Sequence, residues 1–442
     1  MDLLKGNLWK NILVYSLPLV LTNLLQLLFN IADVAIAGKF AGAIALGAVG
    51  STTLLISLTT GWMIGIANGV NSVTAFYIGG GQQDRETQSV QTGFWLCLGM
   101  GILTLVLGIA LAVPVLRLLG TKDELIDEAT LYFRIYMLGS PALAIFNFGN
   151  AVLSAEGNTK KPLKYLVIAG VINIILNLSF VLILHMAADG VACASVISQY
   201  ISALLILRAL CRTDAVYRLD PRRPSFDPTV AARILRIGIP AAMQTSLYCL
   251  ANLFIQSAVN SFDHTVVEGN SAAMNFDNLV YEMMAAFYVA TTSFMAQNYG
   301  AGNRERVRKT YLITTVYSFG IAAILGVLIH IFCSPLLYLF TNEADVVAAG
   351  SIRLGILSLS YCLSGFMDNA TAACRGLGKT LIPTIIVMLG SIGFRILWLY
   401  TIFAHFHTLK SLYLLYACAF VITAIFQNIY YFHLQRQVLP PQ

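Results

Sequence analysis

Long apolar blocks alternate with short polar turns along the whole chain. About twenty consecutive apolar residues cross the hydrocarbon of a bilayer, and twelve stretches reach that length, near 12–36, 46–74, 94–116, 131–154, 163–185, 190–210, 235–260, 270–297, 311–337, 350–373, 382–404 and 411–433. The pattern predicts an all-α polytopic membrane protein of twelve transmembrane helices, six in each half.

The two halves are also related in sequence. At a shift of 222 residues, Ile12-Leu13 aligns with Ile234-Leu235, Pro18 with Pro240, Asn30 with Asn252, Phe40 with Phe262, Gly47 with Gly269, Tyr77 with Tyr299 and Gly80 with Gly302. An even number of spans per half makes the repeats parallel, related by an axis along the membrane normal. Many secondary transporters consist of two such bundles, and enzymes rarely do.

Composition agrees with the pattern: 58% apolar and 11% charged residues leave too little polar surface to coat a soluble body of 442 residues. The segment Met1 to Lys10 is short and polar, and the first span is long and has no small-residue cleavage site, so it reads as a retained span. Of the 27 Lys and Arg residues, 20 fall at the amino terminus, the even-numbered turns or the carboxyl terminus. That bias places both termini in the cytoplasm of an inner membrane. The net charge of +6 is spread over short helix turns, as in Arg304 to Lys309 and Lys160, Lys161 and Lys164. Anionic lipid explains it, and no nucleic-acid partner is expected.

The longest polar interval, Cys211 to Thr229, carries Pro221, Pro224 and Pro228 where the repeat boundary falls. The expected organisation is a six-helix lobe over 1–211, a cytoplasmic linker over 212–230 and a second lobe over 231–442. The eight cysteines lie in or at the ends of apolar spans and read as packing residues. The six histidines have no metal-ligand spacing, so no metal site and no cofactor are expected. Gly79-Gly80-Gly81 reads as a helix end rather than a phosphate cradle. Gly61, Gly65 and Gly69 give the second span a smooth face for close packing.

Chemistry must come from polar groups inside the spans, where a charge costs at least about 2.5 kcal/mol. In the first span Asn23, Gln26, Asn30 and Asp33 recur at spacings of three and four on one helical stripe that ends in a carboxylate. The fourth span adds Asn147 and Asn150, the fifth Asn173 and Asn177, and the sixth Ser195. If these spans share one bundle, their amides meet Asp33 in a proton or cation pocket. The other reading of the amides is interhelical hydrogen-bond glue, worth about 0.6 kcal/mol per contact. In the second half Ile255 replaces Asp33, so the symmetry breaks at the one titratable position. There the eighth span carries Asn275, Asn278 and Glu282 on one face, and the tenth carries Tyr361, Ser364 and Asp368. They read either as an acidic substrate surface or as the neutralising partners of the intramembrane Arg395.

Pro18 and Asn30-Ile-Ala-Asp33 followed by Gly47-Ala-Val-Gly50, Gln297-Asn-Tyr-Gly-Ala-Gly-Asn303, and Arg375-Gly-Leu-Gly-Lys379 with Pro383 form a set of motifs. Together they resemble the multidrug and toxic compound extrusion (MATE) family of cation-coupled exporters. The resemblance covers the whole chain and implies two six-helix lobes around a V-shaped cavity, exporting amphipathic, often cationic xenobiotics against inward proton or sodium flow. It carries the family's amino-lobe cation site onto Asp33, Asn147, Asn150 and Asn173. Family members often place an aspartate where this chain has Asn177, and another branch uses a glutamate near the position of Tyr248. Both departures weigh against sodium and favour a single proton on Asp33.

The resulting expectation is a monomeric secondary antiporter, not an enzyme. Asp33, Asn30, Asn147, Asn150, Asn173, Asn177 and Ser195 couple the cation; Glu282, Asp368, Asn275, Asn278 and Tyr361 contact amphipathic substrate. A flippase for a lipid-linked oligosaccharide is the alternative. It would favour a basic cavity, against which the chain offers Arg395. An integral-membrane transferase needs acid, base and metal ligands clustered at one face, and no such cluster is evident.

Overall fold

The computed structural model describes residues 1–222 and 225–438. Arg223 and Pro224 of the expected linker, and the last four residues of the expected second lobe, lie outside them. Among the described residues there are helices and no strands. The elements are α1 (Leu8–Ile36), α2 (Ala43–Gly79), α3 (Gln83–Leu118), α4 (Asp123–Met137), α5 (Ser140–Ala155), α6 (Lys160–Leu178), α7 (Ala188–Cys211), α8 (Pro228–Val259), α9 (His264–Gly300), α10 (Arg304–Ile331), α11 (Cys333–Leu337), α12 (Ala344–Gly376), α13 (Leu381–Val387), α14 (Phe394–Trp398), α15 (Ala404–Phe406) and α16 (Leu409–Val438).

Among the described residues eleven helical stretches, with Leu381–Phe406 counted as one, are long and apolar enough to cross a membrane, and α4 with α5, bent by 45° at their junction, make a twelfth if the pair is one span. The bend has a local cause. Pro141 stands in the first turn of α5, so it donates no amide to the preceding turn and its ring opposes a continuous helix. The fourth span therefore starts earlier than its apolar pattern suggested, with Asp123 and Glu124 in the first turn of α4, where carboxylates favour the helix dipole.

Packing groups Met1–Asp2 and Leu21–Thr245 as one unit, and Leu3–Val20 with the chain from Ser246 onward as the other. The two cuts that fall inside spans come shortly after a proline, Pro18 in α1 and Pro240 in α8. These are packing units, whereas the lobes read from sequence are repeat units; the two are different divisions of one chain. In the amino unit, the glycine face of α2 meets the first half of α8. A Cβ at Gly61 would come within 2.6 Å of the Thr245 methyl, and one at Gly65 within 2.6 Å of the Ala242 backbone. Only hydrogen fits there, and Ile66 and Val70 pack with Val230, Ile234 and Ile237 beside it. The carboxyl unit has its own core, including Ala273, Val280, Leu354 and Leu412.

The turns follow their chemistry. Gly81 after α2 has φ +64° and Gly302 after α9 has φ +70°, the left-handed conformation that ends helices. Before α8, Asp227 accepts from the amides of Thr229 at 2.8 Å and Val230 at 3.1 Å, and pairs with Arg85 at 3.0 Å. These bonds, led by the Thr229 hydroxyl, hold its carboxyl below the usual range.

Candidate functional site

Three helices of the amino unit build a polar centre around Asp33. Asp33 lies in the last turn of α1, just ahead of a π-helical turn at Ala37–Ala41. Asn173 and Asn177 lie in the second half of α6, which also ends in a π turn, Ser179–Ile183. Ser195 comes from α7. Such π turns widen a helix and recur at functional sites. Asn177 Nδ2 donates to Asp33 Oδ1 at 2.6 Å, and Ser195 Oγ donates to Asp33 Oδ2 at 3.0 Å. Asn177 Nδ2 also donates to Asn173 Oδ1 at 3.2 Å, and Asn173 Nδ2 to Ser195 Oγ at 3.5 Å. Asn177 is fully buried, yet its Oδ1 receives no hydrogen bond.

Four of the seven residues expected to couple the cation thus meet: Asp33, Asn173, Asn177 and Ser195. Among the described residues the other three make no hydrogen bond to the carboxylate. Asn30 is exposed, and the Asn147 amide donates to the Leu143 carbonyl of its own helix at 2.9 Å. Asn150 Oδ1 is buried and accepts nothing. Sequence reading passed over Tyr132 and Tyr136, which stack at 6.2 Å and feel the Asp33 charge. Their spacing on α4 was the available signal.

A second acidic pair in this unit also went unread. Glu86 of α3 is buried, and its side chain hydrogen-bonds that of Glu156, the residue that follows α5. Burial first, and then the Glu86 carboxyl, push the Glu156 carboxyl up to about 8.

The carboxyl unit is organised by a buried ion pair that the sequence analysis did not identify. Arg353 of α12, 4% exposed, donates through Nε at 3.0 Å and Nη2 at 2.5 Å to Asp277 Oδ2 of α9. Its Nη1 donates to Asn270 Oδ1 at 2.6 Å, and Tyr413 OH donates to the same oxygen at 3.2 Å. Tyr361, expected at the substrate surface, donates a hydrogen bond from its hydroxyl to Asp277 Oδ1. Asn270 and Asp277 are seven residues apart on one stripe of α9, a spacing that could have flagged the partner of Arg353.

Glu282 and Asp368 are half-buried, and both lie within electrostatic reach of Tyr281. Asn275 donates to carbonyls of its own helix, at 3.2 Å to Ser271 and 3.3 Å to Ala272, and Asn278 is exposed. Among the described residues no carboxylate stands at ion-pair distance from Arg395. The guanidinium faces rings instead, with centroids at 4.6 Å for Tyr416, 5.5 Å for Phe420 and 5.7 Å for Tyr248. Among the described residues no three His, Cys, Asp or Glu side chains come together as metal ligands.

Apolar spans that carry buried polar groups point to a membrane transporter, and the comparisons place it. The MatE family model matches residues 18–179 and again residues 240–401, a displacement equal to the internal repeat. The chain belongs to the multidrug and toxic compound extrusion family of multi-pass membrane transporters. Probable multidrug resistance protein YpnP of Bacillus subtilis (strain 168) is 29% identical over 377 residues, covering 85% of this chain and 84% of that protein. The FAD transporter of Shewanella oneidensis (strain ATCC 700550 / JCM 31522 / CIP 106686 / LMG 19005 / NCIMB 14063 / MR-1) is 23% identical over 368 residues, 81% of this chain and 80% of that one. An outward-facing multidrug resistance MATE family transporter of the MOP superfamily matches in fold with a TM-score of 0.93 at 22% identity, over 99% of this chain and 98% of that structure.

Proposed function

We propose that this transporter exports amphipathic, chiefly cationic compounds in exchange for protons, with Asp33 as the group that takes up and releases the proton. The observation that carries the reading is a carboxylate served by two neutral donors beside an unfilled acceptor on Asn177. Ionised Asp33 accepts from Asn177 Nδ2 and Ser195 Oγ. A proton on Asp33 Oδ1 would face the Asn177 amide donor, and two donors cannot share a hydrogen bond. Half a turn of that amide presents the unfilled Oδ1 to the new O–H and withdraws Nδ2 from Asn173. Protonation thereby changes contacts between α1 and α6, a local switch of the kind that biases a larger equilibrium.

Sodium is the second reading, because Asn177 Oδ1, the Asp33 carboxylate and the Ser195 hydroxyl are hard oxygen donors that a cation accepts. On the substrate side, Glu282 and Asp368 offer two carboxylates to a cation. The name of the Bacillus relative supports multidrug export. The charge bias of the turns supports an inner-membrane location with both ends in the cytoplasm. We further read the chain as working as a monomer, without a cofactor. The deciding experiment is export of a cationic dye from proteoliposomes under separately imposed proton and sodium gradients. Transport under the proton gradient alone supports the reading, and transport under sodium alone overturns its proton half.

A further inference from the structure

Arg395 is a buried cation of the carboxyl unit whose surroundings the cation-export reading leaves unexplained. It sits in α14, bracketed by π turns at Met388–Gly393 and Leu399–Phe403. The other two π turns among the described residues adjoin Asp33 and Asn177, so all four flank buried polar centres. Arg395 and Arg353 are equally buried, each 4% exposed. Arg353 has Asp277 on two nitrogens, whereas among the described residues Arg395 has no carboxylate at ion-pair distance and its buried Nε has no acceptor. Asp368 feels Arg395 only as the weaker of two positive charges, after Arg375. A buried guanidinium with an empty donor calls for an anion.

The rings narrow the class. Tyr416, Phe420 and Tyr248 lie within 5.7 Å of the guanidinium and surround it with aromatic surface. The empty Nε lies in the guanidinium plane, where a planar carboxylate or a phosphate docks through its oxygens. Within the helical stretch Leu381–Phe406, Arg395 is roughly 15 Å or more from either end at the rise of a helix, away from the span ends where lipid headgroups lie.

We infer that Arg395, with Tyr248, Tyr416 and Phe420, forms an anion-recognition site for transported substrates that bear a carboxylate or phosphate on an aromatic body. The inference rests on the export reading for its route and widens its substrate class beyond cations. A substrate carrying both an amine and an acid could use Asp368 and Arg395 together.

The test uses the full-length protein, purified in detergent and reconstituted in liposomes, with carboxyfluorescein as the anionic aromatic probe and ethidium as the cationic one. Carboxyfluorescein should raise the Tm of the unmodified protein in a concentration-dependent way. Arg395→Gln should lower the ratio of carboxyfluorescein to ethidium export, per folded molecule, about ten-fold or more. Arg395→Lys, which keeps the charge and loses the planar fork, should fall between the two. If the glutamine variant does not fold, the lysine variant and the melting of the unmodified protein carry the test. A protein that exports ethidium but neither binds nor exports carboxyfluorescein overturns the inference and leaves the export reading standing. Carboxyfluorescein binding that Arg395→Gln abolishes, in a protein that exports nothing, upholds the anion site and overturns export. An unchanged export ratio in Arg395→Gln overturns the inference outright.

Discussion

Replacing Asp33 by asparagine separates coupling from folding. The side chain keeps its shape, and its amide can donate to the unfilled Asn177 Oδ1 after the same half-turn that protonation would require. Asp33→Asn therefore imitates the protonated state and cannot leave it. Two charge-assisted hydrogen bonds, about 1.5–3 kcal/mol each, give way to neutral bonds of about 0.5–1.5 kcal/mol. Against this, desolvation of the carboxylate disappears, a penalty of several kcal/mol for a fully buried ion and less for the half-buried Asp33. The opposed changes are of similar size, so the variant should fold and bind substrate. Transport should change far more. One pH unit is worth about 1.4 kcal/mol per proton, so one-for-one exchange with a monovalent cation sustains about a ten-fold substrate ratio per unit. In proteoliposomes with an imposed difference of two units, the unmodified protein should approach about a hundred-fold, and Asp33→Asn should stop at equality. An Asp33→Asn protein that still concentrates a cationic dye ten-fold would refute the assignment.

Asn177→Asp sets a second carboxylate in hydrogen-bond contact with Asp33, and two such groups hold one proton between them. The pH optimum of export should move upward, or a sodium requirement should appear, when export is assayed across pH with and without sodium. Glu282→Gln or Asp368→Asn should reduce export of a cationic drug about ten-fold and nearly spare a neutral one, since a charge-assisted contact is worth about 1.5–3 kcal/mol; equal loss for both drugs would make the acidic surface structural. Asp277→Leu strands the Arg353 charge and should cost about 3–5 kcal/mol. That loss should appear as low folded yield, recovered in the double variant Asp277→Leu with Arg353→Leu; failure of the recovery would show that the pair does more than neutralise itself. Glu156 binds its proton more tightly folded than unfolded, so its contribution to stability is complete below its ordinary value of 4.5 and fades as pH rises through about 8. Melting temperature should accordingly fall between pH 6 and 9 less steeply in Glu156→Gln than in the unmodified protein.

Much of this protein is written along the chain. Block length gives the spans, because only the bilayer thickness sets it. The repeat at 222 residues gives the two halves, and the family model finds the same displacement. Asp33 stands out because a carboxylate on an apolar helix is expensive wherever the helix is placed. Tertiary structure decided the rest, since helical periodicity assigns a residue to a face and leaves open which neighbour that face meets. Asn177 and Ser195 reach Asp33 across 144 and 162 residues of chain, while Asn147, equally placed by pattern, bonds back to its own helix. Tyr361, placed on the expected substrate surface by pattern, hydrogen-bonds Asp277 Oδ1, the carboxylate oxygen that Arg353 leaves open. Arg395 shows the limit most plainly. The sequence gives it a charge and a depth, and the aromatic rings and absent carboxylate around it are set by the packing of α8, α14 and α16.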